Sequence, residues 1–193
     1  PQRRDMCAMS VDYGTGNPCV FGKYQLSGDT WVRMDECYWD SLRMQRQKTD
    51  GQYLEDFEQF VGNDIPAAVV IDPSAASFAT LLEQSGYNVV QANNDVLDGI
   101  RTMSLMMAQG KFKVLAEKCP EFLREVSVYA WDAKAARRGE DKPLKKHDHC
   151  MDEARYFAMW AAGKTGSTAP VMYEQTDEPT DTDQVLYEMG LLT

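Results

Sequence analysis

The stretch Pro143-Leu-Lys145-Lys146-His147-Asp148-His149-Cys150-Met151-Asp152-Glu153-Ala154-Arg155-Tyr156 holds both histidines of the chain and three carboxylates, and it opens into an apolar helical pattern. Residues 149 and 152 are three apart, so on a helix they share a face. Asp148 stands where a helix N-cap belongs. Alone, this run is a capped helix start. It gains chemistry from two isolated aspartates upstream, each closing an apolar run: Asp12 after residues 6–11 and Asp72 after residues 67–71. Singly, Asp12 reads as a turn residue, Asp72 as a strand exit before Pro73, and Asp152 as a first-turn acid favoured by the helix dipole. Acids at three element ends are together what a divalent-metal site requires, because Mg²⁺ and Mn²⁺ prefer carboxylate oxygens and retain several waters. His149 can ligate a metal, shuttle a proton or contact phosphate, or can be a hydrogen-bonded helix-start residue.

The rest of the pattern places those acids. Residues 6–11, 19–24 and 30–38 read as an antiparallel meander, with turns at 14–18 and 27–29. From residue 49 the period becomes helical, with Tyr53, Phe57, Phe60 and Val61 on one face and Thr49 or Asp50 as N-cap. Residues 67–71 are wholly apolar, as in a central strand covered on both faces. Helices are expected over 74–85, 96–109 and 120–128, and strands over 87–91 and 111–115. A final helix over 148–162 closes at Gly163 and Lys164. A meander followed by helices alternating with parallel strands indicates an α/β fold, a mixed β-sheet flanked by helices on both faces in RNase H-like order. Glu36 and Asp40, on or after the third strand, read as an exposed strand face.

At 193 residues the chain is long enough for one well-buried domain, expected over 1–163, with an acidic and loose tail over 164–193. A net charge of -10 argues against a general nucleic-acid coat, but charge distribution decides local binding. Residues 131–147 lack a clear period and hold Lys134, Arg137, Arg138, Lys142, Lys145 and Lys146, six of the 20 basic residues. This loop runs into the acid-bearing helix and reads as a phosphate contact. Five cysteines without paired short spacing read as structural thiols. No apolar stretch reaches the length of a membrane span and no signal peptide is visible. The first residue is Pro1, which reads as a fragment of a longer chain. Residues 158–165 satisfy a loose Walker A pattern, but a helix precedes them and an acidic tail follows, so Gly163-Lys164 reads as a helix C-cap.

Over residues 11–160 the chain resembles the C-terminal nuclease domain of tailed-phage terminase large subunits. The resemblance is carried by Val11-Asp12-Tyr13-Gly14-Thr15-Gly16-Asn17-Pro18, by Lys48-Thr49 leading a helix with Tyr53, and by Ile71-Asp72-Pro73-Ser74-Ala75. Its most specific part is the closing run from Asp148 to Tyr156, which is similar to the family signature Asp-His-x-x-Asp-Ala-x-Arg-Tyr. The chain departs from it at Glu153, where the signature passes from Asp directly to Ala. The resemblance implies an RNase H-like fold and metal-dependent endonucleolytic cleavage of double-stranded concatemeric viral DNA during genome packaging, by two-metal phosphodiester hydrolysis with low sequence specificity. It implies two Mg²⁺ or Mn²⁺ ions on Asp12, Asp72 and Asp152, with His149 beside them. It also implies as partners double-stranded DNA, the terminase small subunit, the portal protein and a packaging ATPase domain of the same full-length chain, in the host bacterial cytoplasm. Two rival readings stand beside it. An actin-like nucleotide-binding fold would use Gly14 to Gly16 for phosphate, and a non-catalytic DNA-binding module would keep the fold without cleavage.

Overall fold

Strand β1 (Cys7–Asp12) is the axis of the sheet, with residues 8–11 buried beneath both faces. It pairs antiparallel with β2 (Cys19–Ser27), which pairs antiparallel with β3 (Thr30–Trp39). On its other side β1 pairs parallel with β4 (Val69–Ile71), and β4 with β5 (Val89–Gln91). Strand β6 (Phe112–Val114) adds parallel to β3, giving the order β5-β4-β1-β2-β3-β6. Helices α1 (Asp50–Val61) and α2 (Ala76–Gln84) cover one face, over Met9, Val11, Phe21, Val69 and Ile71. Helices α3 (Val96–Ala108), α4 (Pro120–Val126) and α6 (His149–Ala162) cover the other, over Ala8, Val20, Tyr24 and Trp31. The expected mixed α/β sheet with helices on both faces is therefore the observed one. The computed structural model describes residues 6–164, so the tail expected from 164 onward lies, Lys164 apart, outside the described residues.

Local chemistry explains the element ends. Thr49 caps α1 in a reciprocal box with Gln52, which satisfies two amide donors that the first turn would otherwise leave bare. Gly163 caps α6 at its C-terminus, as the sequence pattern implied. A four-residue helix, α5 (Ala133–Ala136), sits in the segment expected to be a loop, and Asp132 caps it by accepting from the Lys134 amide at 2.8 Å.

One irregularity organises the face that carries α4 and α6. The β2–β3 register shifts between Lys23 and Tyr24, so that Tyr24 faces Arg33 while Gly22 faces Glu36. The bulge inverts the in–out alternation of β3. Trp31 and Arg33 point inward before it, and Glu36 and Tyr38 point the same way after it. Glu36 is thus not on the exposed strand face that the sequence suggested. Its carboxylate is 4% exposed and accepts from the amides of Glu121 at 2.6 Å and Phe122 at 3.1 Å, in the first turn of α4. Asp40 follows β3 instead of lying on it, and its carboxylate accepts from the amides of Leu42 and Arg43, each at 3.0 Å.

The buried Arg33 guanidinium closes a ring around this face. It pairs with Glu153 of α6, donates to Tyr24 Oη, and reaches Glu36 at 3.3 Å. Burial pushes the Glu153 carboxyl up to about 7 against the pull of Arg33. Ser10 Oγ of β1 donates to the Glu153 carbonyl at 2.9 Å, fastening the same turn of α6 to the sheet. Asp148 occupies the N-cap position of α6 but makes no capping bond with its side chain. The cap comes instead from Glu125 of α4, whose carboxylate accepts from the Cys150 amide at 2.6 Å and from Tyr38 Oη at 3.2 Å.

Gly22 leaves the space this ring fills: a Cβ there would collide with Glu153 Oε1 and lie 2.7 Å from Arg33 Nη1. Gly22→Ala is expected to lower unfolding stability by about 1–3 kcal/mol through overpacking. Arg33→Met, which strands Glu153 without its counter-charge, is expected to lower it by roughly 3–5 kcal/mol. Urea denaturation at neutral pH measures both, and an unchanged midpoint for Arg33→Met would remove the ring from any account of stability.

Candidate functional site

Parallel pairing of Val11 with Ile71 brings the ends of β1 and β4 to one sheet edge, so Asp12 and Asp72 leave side by side. The turn after Asp12 is held shut: Gly14 has no room for a Cβ against Pro18 O at 2.6 Å, and Tyr53 Oη donates to the Gly14 carbonyl at 3.1 Å. Helix α6 starts at this same edge. His147, in left-handed backbone (φ 53), turns the chain into it. His149 Nδ1 then lies 2.9 Å from Asp12 Oδ2, and Asp152 lies three residues on, in the first turn of α6. Tyr156, one turn further along that face, has a hydroxyl that acts on the Asp72 carboxylate and helps to lower its pKa.

The electrostatics separate the three acids. Asp12, 15% exposed, has its carboxyl raised by burial; the hydrogen bond from His149 opposes this, while the like charges of Asp152 and Asp72 add to it. Asp72 is lowered because its hydrogen bonds from Ser74, Tyr156 and Asn94 together outweigh the cost of burial. One of these is the Ser74 amide, at 2.7 Å. Asp152 accepts from Lys145 Nζ at 2.8 Å through Oδ2 and from Arg155 Nη2 through Oδ1. Burial works against the imidazolium of His149, but the hydrogen bond and charge of Asp12, with Asp148 and Glu125 nearby, raise its pKa.

All four residues singled out in the sequence, Asp12, Asp72, His149 and Asp152, therefore meet at one edge. Among the described residues no three His, Cys, Asp or Glu side chains form a closed ligand set. The six basic residues between 131 and 147 are exposed, but they do different things. Arg138 and Lys142 pair with Glu140 at 3.7 and 2.7 Å, while Lys145 turns onto Asp148 and Asp152. The base of their loop is pinned by a bridge between Trp131 and Pro143. Sequence reasoning gave no role to Tyr156, Arg155 or Glu125, although the first two stand in the family signature. The signal for the first was present, since residues 149, 152 and 156 fall on one helical face. Glu125 acts from another helix and had no local signal.

Parallel strands delivering two acids to an edge that a helix then closes define an RNase H-like domain. The chain belongs to the terminase RNaseH-like domain family, whose family model matches residues 34–160. Among solved structures it is similar to the large terminase of a thermophilic bacteriophage, with 43% identity and a TM-score of 0.77 over 82% of this chain and 40% of that one. The chain thus spans well under half the length of that relative. It also shares its fold with the P22 large terminase nuclease domain (18% identity, TM-score 0.64, 81% of each chain). A further match is the bacteriophage SPP1 large terminase nuclease domain with bound Mn (17% identity, TM-score 0.60, 84% of this chain and 88% of that one). A comparison with curated proteins gave no match. No described helix is long and apolar enough to cross a membrane.

The raised His149 pKa has a measurable consequence. The folded protein holds this proton more tightly than the unfolded chain, so the contribution is complete below the ordinary value of 6.5 and is lost as pH rises through the higher folded value. In EDTA the thermal midpoint is expected to fall across that window, and His149→Ala to flatten the slope. A slope that persists in His149→Ala would assign it to a different group.

Proposed function

We propose that this domain is a divalent-metal-dependent endonuclease that cuts double-stranded concatemeric viral DNA during genome packaging, with Asp12, Asp72 and Asp152 as its metal-binding acids. The observation that carries this reading is the delivery of three carboxylates, from the ends of β1 and β4 and the first turn of α6, to one edge beside an exposed basic loop. The donor set fits a hard cation: all three are carboxylates, and the like charges of Asp152 and Asp72 that raise Asp12 are a repulsion that such an ion relieves. Asp12, Asp72 and Asp152 would hold two Mg²⁺ or Mn²⁺ ions, which supply water activation and charge neutralisation at the phosphate. The manganese in the SPP1 nuclease domain supports this class of ion.

The chain's own side chains prepare the edge. The Ser74 amide orients Asp72, and Ser74, Tyr156 and Asn94 together hold its carboxyl below the ordinary value. His149 Nδ1 hydrogen-bonds to Asp12 Oδ2 and fixes the rotamer of that carboxylate. Lys134, Arg137, Arg138, Lys142, Lys145 and Lys146 contact backbone phosphates, which position a duplex without reading bases, so cutting has low sequence specificity. The nuclease unit is residues 1–163. The longer terminase chain supplies a packaging ATPase domain, and the small subunit and the portal protein are its partners in the host bacterial cytoplasm.

Incubation with linear duplex and Mn²⁺ is expected to give cleavage that EDTA abolishes. Loss of an outer partner of a metal ligand costs about 10–100-fold, so Tyr156→Phe should fall in that range and Asp72→Ala beyond it, both folding normally. Absence of cleavage under every divalent metal would favour the non-catalytic DNA-binding reading instead.

A further inference from the structure

Both oxygens of the Asp152 carboxylate are engaged by cationic side chains, Oδ2 by Lys145 and Oδ1 by Arg155. The two cations differ in freedom. The Arg155 side chain is 4% exposed, runs against the Cα of Gly99, and directs its guanidinium toward the Asp95 carbonyl at 3.4 Å. Lys145 is 58% exposed, stands on the basic loop, and reaches Asp148 at 3.2 Å as well as Asp152 at 2.8 Å. Of the six basic residues in that loop, it is the one that touches the acids among the described residues.

A lysine ammonium and a divalent cation compete for the same carboxylate oxygen, and a backbone phosphate competes for the same ammonium. Resting on the metal-dependent nuclease reading above, we propose that Lys145 couples DNA binding to metal binding. Without DNA, its ammonium holds Asp152 Oδ2. When a phosphate of the bound duplex takes the ammonium, Oδ2 is released to the metal. The exchange is easy because ion pairs of a half-exposed lysine are weak, whereas the buried Arg155 stays and keeps Asp152 oriented. By linkage the effect is reciprocal, each ligand tightening the other by the same factor. Asp152 Oδ2 is thus a stronger metal ligand on a molecule that already holds its substrate.

The test is Mn²⁺ binding, followed by the paramagnetic resonance signal of the free ion. Wild type, Lys145→Met and Lys142→Met are each titrated alone and with a short duplex, before cleavage begins and against a duplex blank. Lys145→Met is expected to bind Mn²⁺ about tenfold tighter than wild type without DNA, and to lose most of the tightening that duplex confers on wild type, a coupling of ordinary size. Lys142→Met removes an equal charge from the same loop; it is expected to weaken duplex binding and, at saturating duplex, to keep the wild-type coupling. Lys145→Gln repeats the measurement with a second neutral side chain and is expected to match Lys145→Met. Equal Mn²⁺ affinities without DNA, or duplex tightening of the same size in wild type and both Lys145 variants, would overturn the coupling and leave the nuclease reading intact. Mn²⁺ bound by none of these proteins, with or without duplex, would overturn the metal reading and the coupling with it.

Discussion

A guanidinium with no exposed surface cannot remain uncompensated, and Arg33 is such a group. Its three partners, Tyr24, Glu36 and Glu153, come from β2, β3 and α6. Glu36 also caps α4, and Glu125 of α4 caps α6. Satisfying one charge thereby sets where α4 begins, and α4 sets where α6 begins. Asp152 sits beside Glu153 on that helix, and His149 one turn before it. The position of the candidate site is, in this sense, decided about Arg33 rather than at the acids themselves. Buried ion pairs are poor sources of net stability but are costly to break singly, which suits a device that specifies geometry.

The acids at the edge are held in tension of a different kind. Asp12, Asp72 and Asp152 repel one another, and each has a separate local remedy: His149 for Asp12, three hydrogen-bond donors for Asp72, and two cationic side chains for Asp152. Each remedy is also a means of orientation. A site assembled this way keeps its carboxylates in defined places while they remain able to exchange partners.

Much of this was legible in the sequence wherever the signal was local. The apolar runs before Asp12 and Asp72, the N-cap at Thr49 or Asp50 and the helical face through His149 and Asp152 all depend on neighbours within a few residues, and all of those elements are found. The sequence misled where the answer lay across the sheet. Glu36 points inward because a bulge between β2 and β3 inverts the alternation, and a bulge is a property of two paired strands. Helix α5 is too short to show a period. Asp148 had the right residue type and position for a cap, yet the amide it would have served is taken by Glu125, 25 residues away in the chain. A central strand over 67–71 was expected from its apolar run and a parallel one from the alternation of helices and strands, and its pairing with β1 is what brings Asp12 and Asp72 together.

Gly22 has a consequence for how this chain can vary. The missing side chain at 22, the carboxylate at 153 and the guanidinium at 33 share one volume and one charge balance. The signature that Glu153 departs from passes directly from Asp to Ala at this point. With no carboxylate there, Arg33 would keep Glu36 but lose its closer counter-charge, while Gly22 would gain room. The three positions therefore answer to one packing and charge constraint. A substitution at any one of them is expected to be tolerated best when the other two change with it.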